Sequence, residues 1–153
     1  MEEKDLIQHG YRYALSLTHH HYDAEDLVQQ AWIKLHKKYG TVENKNILFT
    51  TVKNIFLDRY RKNQIVVFEA LENQDTPTKD HSPGAEIDME TILSTLKYEE
   101  REALYLNIVE GFTAKEIAKQ TGKSRGGILS LIFRAKKKLE KTFSETDDGK
   151  RRA

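Results

Sequence analysis

The stretch from Thr113 to Leu139 constrains the fold more tightly than any other part of the chain. Thr113 is followed three residues later by Glu116, the pattern in which a hydroxyl and a carboxylate cap each other's backbone amides at a helix start. Gly122 permits the positive φ of a tight turn, and Ser124 is placed to cap a second, longer helix. Ala118 is small enough for two helices to cross closely, and Ile117, Ile128 and Leu131 supply the apolar contact between them. This is helix-turn-helix spacing, in which the second helix offers its N-terminal half to a DNA major groove. A generic helical hairpin is the competing reading. The basic residues Arg134, Lys136, Lys137, Lys138 and Lys141 weigh against it, because phosphate contacts need such charges.

The rest of the chain also reads as helix. Ala24, Leu27, Val28, Ala31 and Leu35 form an apolar stripe at helical spacing, with Asp23 as the expected N-cap and Gly40 as the stop. Ile7, Tyr11, Ala14 and Thr18 mark an earlier helix, and Leu48, Val52 and Ile55 the inward face of a third over 47–62. Beyond a polar stretch, Ile92, Leu93 and Leu96 mark one helix and Ala103, Leu104 and Ile108 another, ended by Gly111. The expected architecture is all-α: two small helical domains joined by a flexible linker, the C-terminal one a helix-turn-helix. The divisions are 1–63, an acidic linker over 64–85, 86–143 and a charged tail over 144–153. Both prolines, Pro77 and Pro83, fall in the linker. The run Ile65 to Phe68 within it reads as helix tail, strand or a segment that orders on a partner.

Charge is segregated along the chain although the net is only +1. Residues 123–141 hold seven Lys/Arg and one acid, and residues 64–86 hold five acids and one base. The chain has no cysteine, which excludes a disulfide framework and thiolate-bound zinc. No apolar run approaches the ~18 residues of a membrane span, and the acidic start lacks a signal-peptide core; the expected location is the cytoplasm. His19, His20 and His21 are consecutive, so on a helix they point apart and do not converge on one ion. No nucleophile–base pair, carboxylate pair or phosphate-binding loop appears, so neither catalysis nor a cofactor is expected.

The stretch Asp23 to Leu35 (DAEDLVQQAWIKL) resembles the second conserved region of extracytoplasmic-function (ECF) sigma factors. Thr51 to Arg61 (TVKNIFLDRYR) resembles the helix that follows it, and Leu96 to Ala118 the start of the family's fourth region. The resemblance implies a dissociable specificity subunit of bacterial RNA polymerase that directs promoter-specific initiation. It implies that the first domain docks on the clamp helices of the polymerase's largest subunit through Asp26, Gln29, Gln30 and Lys34, which point away from the apolar stripe. It implies that the 40–46 loop, with Asn44 and Asn46, and the cationic side of the third helix, with Lys53, Asn54, Arg59, Arg61 and Lys62, meet the −10 element. Phe49, Phe56 and Tyr60 are candidates for base stacking, with core packing as the ordinary alternative. Ile47 stands where the family usually carries tryptophan.

The second domain, by the same resemblance, sits near the polymerase flap tip and upstream DNA. Its candidate contacts are Lys123, Ser124, Arg125, Ser130, Arg134, Lys137 and Lys138. Family members favour Thr-Val and a base at the positions of Gly127, Ile128 and Leu129, so −35 reading is expected to be weakened. A helical wheel puts Ile128, Ile132, Ala135 and Leu139 inward and Leu129 and Phe133 outward. That outward pair is the candidate contact for a partner protein, such as a DNA-bound protein that recruits this one; an anti-sigma factor is a further candidate partner of the chain. A stand-alone helix-turn-helix regulator is the alternative reading. The polar face of the second helix argues against it, since a duplex binder has no use for that surface.

Overall fold

The computed structural model describes residues 2–71 and 89–151, with side chains at 2–63 and 91–144. These residues form seven helices: α1 (Glu3–Thr18), α2 (His21–Tyr39), α3 (Lys45–Leu71), α4 (Met89–Ser94), α5 (Tyr98–Ile108), α6 (Ala114–Thr121) and α7 (Arg125–Arg151). The all-α expectation and its two helical units hold. α1, α2 and α3 pack on one another as the first unit, and α5, α6 and α7 form the second, to which α4 is tied by the bonds of Arg101 to the Leu93 and Leu96 carbonyls.

In the first unit the α2 stripe is buried as its spacing requires: Ala24, Leu27, Val28, Ala31 and Leu35 all lie in the core. They meet Leu48, Phe49, Val52 and Phe56 of α3. α1 crosses this pair at Gly10, where an added Cβ would lie 2.8 Å from Leu48 Cδ2 and 2.9 Å from Val28 Cγ2. The inward face of α1 is Leu6, Tyr13, Ala14 and Leu17, one position out of phase with the expected stripe, and Ile7 is 40% exposed. The aromatic Tyr13 drives that shift by stacking on Phe49 with centroids 4.5 Å apart. α2 begins earlier than expected, with His20 in extended geometry as its N-cap and Asp23 inside the first turn. There the carboxylate faces the positive end of the helix without capping it. Gly40, at φ 81°, closes α2 as expected.

α3 starts at Lys45 rather than Ile47, because the Asn44 side chain accepts the Asn46 amide at 2.8 Å and caps it. It continues unbroken through Leu71, so the backbone from Ile65 to Phe68 is helix. Residues 64–71 of the expected 64–85 linker are thus the end of α3 rather than linker, and its remainder, 72–85, lies outside the described residues.

In the second unit the helix-turn-helix forms as the punctuation demands. Thr113 Oγ1 accepts the Glu116 amide at 3.2 Å, and Glu116 Oε1 accepts the Thr113 amide at 3.1 Å. Gly122 takes φ 73°, and Ser124 Oγ accepts the Gly127 amide at 3.0 Å. Ile117, Ala118, Ile128, Ile132 and Ala135 are buried together. Ile108 is the exception to the expected inward set. It is 60% exposed, because it is the last residue of α5 and the chain turns away there toward Gly111. α7 runs to Arg151, through the segment expected as a tail.

The two units pack against each other through α1 and α5. One apolar cluster runs across the boundary, joining Tyr13, Phe49 and Phe56 to Ala103 and Leu106. Tyr98 meets Phe56 edge-on at 5.0 Å.

Candidate polymerase and DNA interface

The outward side of α2 is built by elimination. With Ala24, Leu27, Val28, Ala31 and Leu35 committed to the core, helical periodicity leaves Asp26, Gln29, Gln30 and Lys34 exposed. Asp26 is not independent of α3. Its Oδ2 pairs with Arg59 at 2.8 Å, with half of its side chain still in solvent, and it accepts a long 3.5 Å bond from Gln30. A surface ion pair of this kind contributes little stability, but it fixes the rotamers of two exposed groups.

Gln30 and Lys34 line one open groove with Asn54, Asp58, Arg61 and Lys62 of α3. The structure thus brings the expected polymerase face and part of the expected −10 face onto one continuous surface. Lys62 leans back on Asp58 at 3.2 Å and remains three-quarters exposed, so it is available to a phosphate. Asn44 and Asn46 are exposed at the start of α3, with Asn44 already engaged as the cap. Phe49 and Phe56 are buried, which removes them from base stacking in this arrangement. Tyr60 is 38% exposed, its ring 5.0 Å from that of Tyr98.

Lys53 stands apart from the others. It turns to the opposite side of α3 and places Nζ 2.6 Å from both oxygens of Glu102 on α5. Glu102 is 1% exposed and also accepts the Tyr13 hydroxyl at 2.5 Å. A second carboxylate, Glu110, accepts Lys45 at 2.7 Å and the Tyr105 hydroxyl at 2.6 Å, with His9 Nδ1 at 2.8 Å. Burial alone would raise the Glu110 pKa, but the bonds from Lys45, Tyr105 and His9 hold it below the usual carboxylate range. Tyr13 is pushed well above the ordinary tyrosine value by burial first and by the Glu102 carboxylate second.

Beyond Glu102, at the end of the boundary away from Glu110, Arg101 is also buried. Its guanidinium donates to the carbonyls of Ser16 at 2.8 Å and Leu17 at 2.9 Å in α1, and to Leu93 at 3.1 Å and Leu96 at 2.5 Å beside α4. α1 has no basic residue in its own last turn, so Arg101 supplies from another helix the cation that a helix C-terminus favours. None of Arg101, Glu102 or Glu110 stands out in the sequence as a site residue. Runs such as Tyr98-Glu-Glu-Arg-Glu102 ordinarily form a solvated face. The one legible signal was the pairing of that charge density with a helix only 11 residues long that must also bury Ala103 and Leu106.

In the turn before α7, Lys123 and Ser124, and on α7 itself Arg125, Ser130, Arg134 and Lys137, are all exposed, as a duplex-facing surface requires. Lys138 is partly spent, because its Nζ lies 2.7 Å from the buried Glu100 carboxylate. Burial would raise that carboxyl, but the bonds from Lys138 and the Lys97 amide, with the charges of Lys138 and Arg134, together hold it low. Leu129 and Phe133 point outward at 44% and 60% exposure, as the wheel placed them. Lys137 Nζ sits 5.2 Å from the Phe133 ring centroid. Among the described residues no helix is long and apolar enough to cross a membrane.

Comparison with known proteins agrees with both units. Residues 4–65 match the model of sigma-70 region 2, and residues 87–139 that of sigma-70 region 4. The ECF RNA polymerase sigma factor SigE of Mycolicibacterium smegmatis is 33% identical over 145 residues, covering 84% of this chain and 55% of SigE. The chain therefore spans about half the length of that relative. The ECF RNA polymerase sigma factor EcfG of Rhodopseudomonas palustris is 30% identical over 136 residues, covering 83% of this chain and 75% of EcfG. Among solved structures, the sigma factor RpoE of Bartonella quintana, in complex with the anti-sigma factor NepR, superposes with TM-score 0.72 at 28% identity, over 92% of this chain and 93% of RpoE. A helix-turn-helix unit joined to a three-helix unit with a polar outward face defines a two-domain transcription factor of the sigma-70 class. The chain belongs to the ECF group of RNA polymerase sigma factors, which direct transcription initiation.

Proposed function

We propose that this chain binds core RNA polymerase in the cytoplasm through the outward face of α2 and opens promoter DNA with the neighbouring face of α3. Gln29, Gln30 and Lys34 take the largest subunit's clamp helices, while Asp26 acts with Arg59 to hold the two helices' surface side chains in place. Asn54, Arg61 and Lys62 follow the freed strand of the −10 element, with Asn44 and Asn46 at the base-reading loop. A cationic groove is what a single strand needs, since affinity for its backbone is electrostatic. The α4 to α7 unit lies toward the flap tip and upstream duplex. Its exposed cations give it general phosphate affinity, but the apolar Leu129 stands where a base-reading side chain would be, so −35 reading is weak. Leu129 and Phe133 then serve a partner protein. The polymerase supplies all the chemistry, so the chain itself has no catalytic task.

The single observation that carries this reading is the shared groove of Gln30 and Lys34 with Asn54, Arg61 and Lys62, which makes one surface of the two expected faces. The test is strand opening. In a reconstituted open complex, alanine at Asn54, Arg61 and Lys62 together should reduce permanganate reactivity of promoter thymines at least tenfold. Holoenzyme formation should be unaffected. If opening persists and only duplex affinity without polymerase falls, the stand-alone regulator is the better account.

A further inference from the structure

The ion pairs that join α3 to α5 and to the turn just after it have a register. Lys45 and Lys53 are eight residues apart on α3, and their partners Glu110 and Glu102 are eight apart in the opposite order. At 1.5 Å per residue, eight helical positions span about 12 Å. The two carboxylates are 1% and 2% exposed, whereas the lysines keep 23% and 18%. Each carboxylate is also held by a tyrosine hydroxyl from its own side or from α1, Tyr105 for Glu110 and Tyr13 for Glu102. The acids are therefore built into the boundary, and the lysines reach into it from a helix whose other cations face DNA under the reading above.

We propose that Glu102 and Glu110 are internal substitutes for DNA phosphates, and that Lys45 and Lys53 form a second phosphate track along α3 that is covered while the units are closed. The inference rests on the reading of α3 as the helix that meets single-stranded DNA. In the closed chain that track is neutralised, and the same contact buries Phe56 against Tyr98. Separation of the α4–α7 unit exposes Lys45 and Lys53 together and leaves Glu102 and Glu110 to water. The free factor is thereby restrained from holding stray single strands, and the strand and the two carboxylates, Glu102 and Glu110, compete for one pair of cations. An oligonucleotide strand is the matching ligand, because it offers repeated anionic groups and nothing on the lysines demands a base.

The test uses the full chain. Because it has no cysteine, Lys37→Cys and Lys119→Cys, both exposed positions, take a dye pair that reports the distance between units by energy transfer. Binding is read by anisotropy of a labelled oligothymidylate at low salt. E102Q/E110Q, which keeps the shape but removes the charge and turns one acceptor oxygen at each site into a donor, should lower energy transfer and raise oligothymidylate affinity at least tenfold. K45A/K53A should lower energy transfer equally but gain no affinity, and adding it to E102Q/E110Q should return affinity to the starting level. E3Q/E140Q, with the same charge change at exposed sites, should leave both readings within twofold. The proposal is overturned if E102Q/E110Q stays closed, if it opens without gaining affinity, if E3Q/E140Q gains as much, or if K45A/K53A fails to reverse the gain. Helicity by circular dichroism identifies a misfolded variant, in which case the single E102Q and K53A substitutions are compared in the same way. Core-polymerase titration of the unsubstituted chain reports separately on the functional reading: its failure there leaves the opening measurement standing.

Discussion

Arg101→Ala is the substitution that the structure makes most damaging. The guanidinium gives four charge-assisted bonds, two crossing to the end of α1 and two within its own unit. A hydrogen bond to a charged donor contributes roughly 1.5–3 kcal/mol, so four would sum to about 6–12 kcal/mol. Two effects reduce that figure. Burial of the cation is itself unfavourable and lowers the Arg101 pKa, and water reaches the freed carbonyls of Ser16 and Leu17 once the boundary loosens. The net loss expected is about 3–5 kcal/mol, the range for removing one member of a buried charge network. With a urea slope of about 1–3 kcal/mol per molar, a loss of about 3 kcal/mol moves the unfolding midpoint down by about 1–3 M. Arg101→Lys keeps the charge but not the planar fork, and should recover about half of the loss. A midpoint shift below about 0.3 M for Arg101→Ala would refute the reasoning. So would an Arg101→Lys chain as stable as the parent, since a point charge at the helix ends would then suffice.

Further outcomes follow from the same geometry. Gly10→Ala should destabilise the first unit by about 1–3 kcal/mol in urea unfolding, because the new methyl overlaps Leu48 and Val28 in a packed crossing. The double substitution Leu129→Ser and Phe133→Ser should change stability by less than about 1 kcal/mol, as both side chains are exposed, and a chain that unfolds would place them in a core. In alkaline titration, Tyr98 is pushed up to about 12 by burial and then by Glu99, and Tyr13 and Tyr105 move the same way. Folded values above the ordinary one mean stability is complete below about pH 10 and is lost as pH rises toward those values, so tyrosinate absorbance should lag for these three and then rise with unfolding. On the acid side Glu100 and Glu110 are held low, so their contribution is present above the ordinary range near about pH 4.3 and is lost as pH falls through their lower folded values. A thermal midpoint that dropped between neutrality and about pH 6 would contradict that assignment.

Local signals were legible wherever one physical demand dominated. The turn between α6 and α7 needed a capping pair, a positive φ and a second cap, and Thr113, Glu116, Gly122 and Ser124 meet those demands in order. The α2 stripe was equally plain, since nothing competed with burial there. The phase of α1 was not, because Tyr13 reads as amphipathic and Ile7 as core until the stacking partner Phe49 is known. The start of α2 was missed for a related reason: Asp23 suits an N-cap, but it suits the first turn as well. The boundary network was illegible in principle. Lys53 is one more cation on a basic helix in sequence, and only the placement of α5 shows that it turns to Glu102 instead of joining Arg61 and Lys62. Likewise Lys138 belongs to a basic run, yet a buried glutamate 38 positions earlier holds it.

Titration of the purified chain with core RNA polymerase tests the central claim most directly, with dye on an exposed engineered cysteine remote from α2. The account predicts saturable one-to-one binding that Gln30→Ala with Lys34→Glu weakens at least tenfold. Leu129→Ser with Phe133→Ser should leave the affinity within twofold. Absence of saturable binding, or an affinity indifferent to the α2 pair, would contradict it.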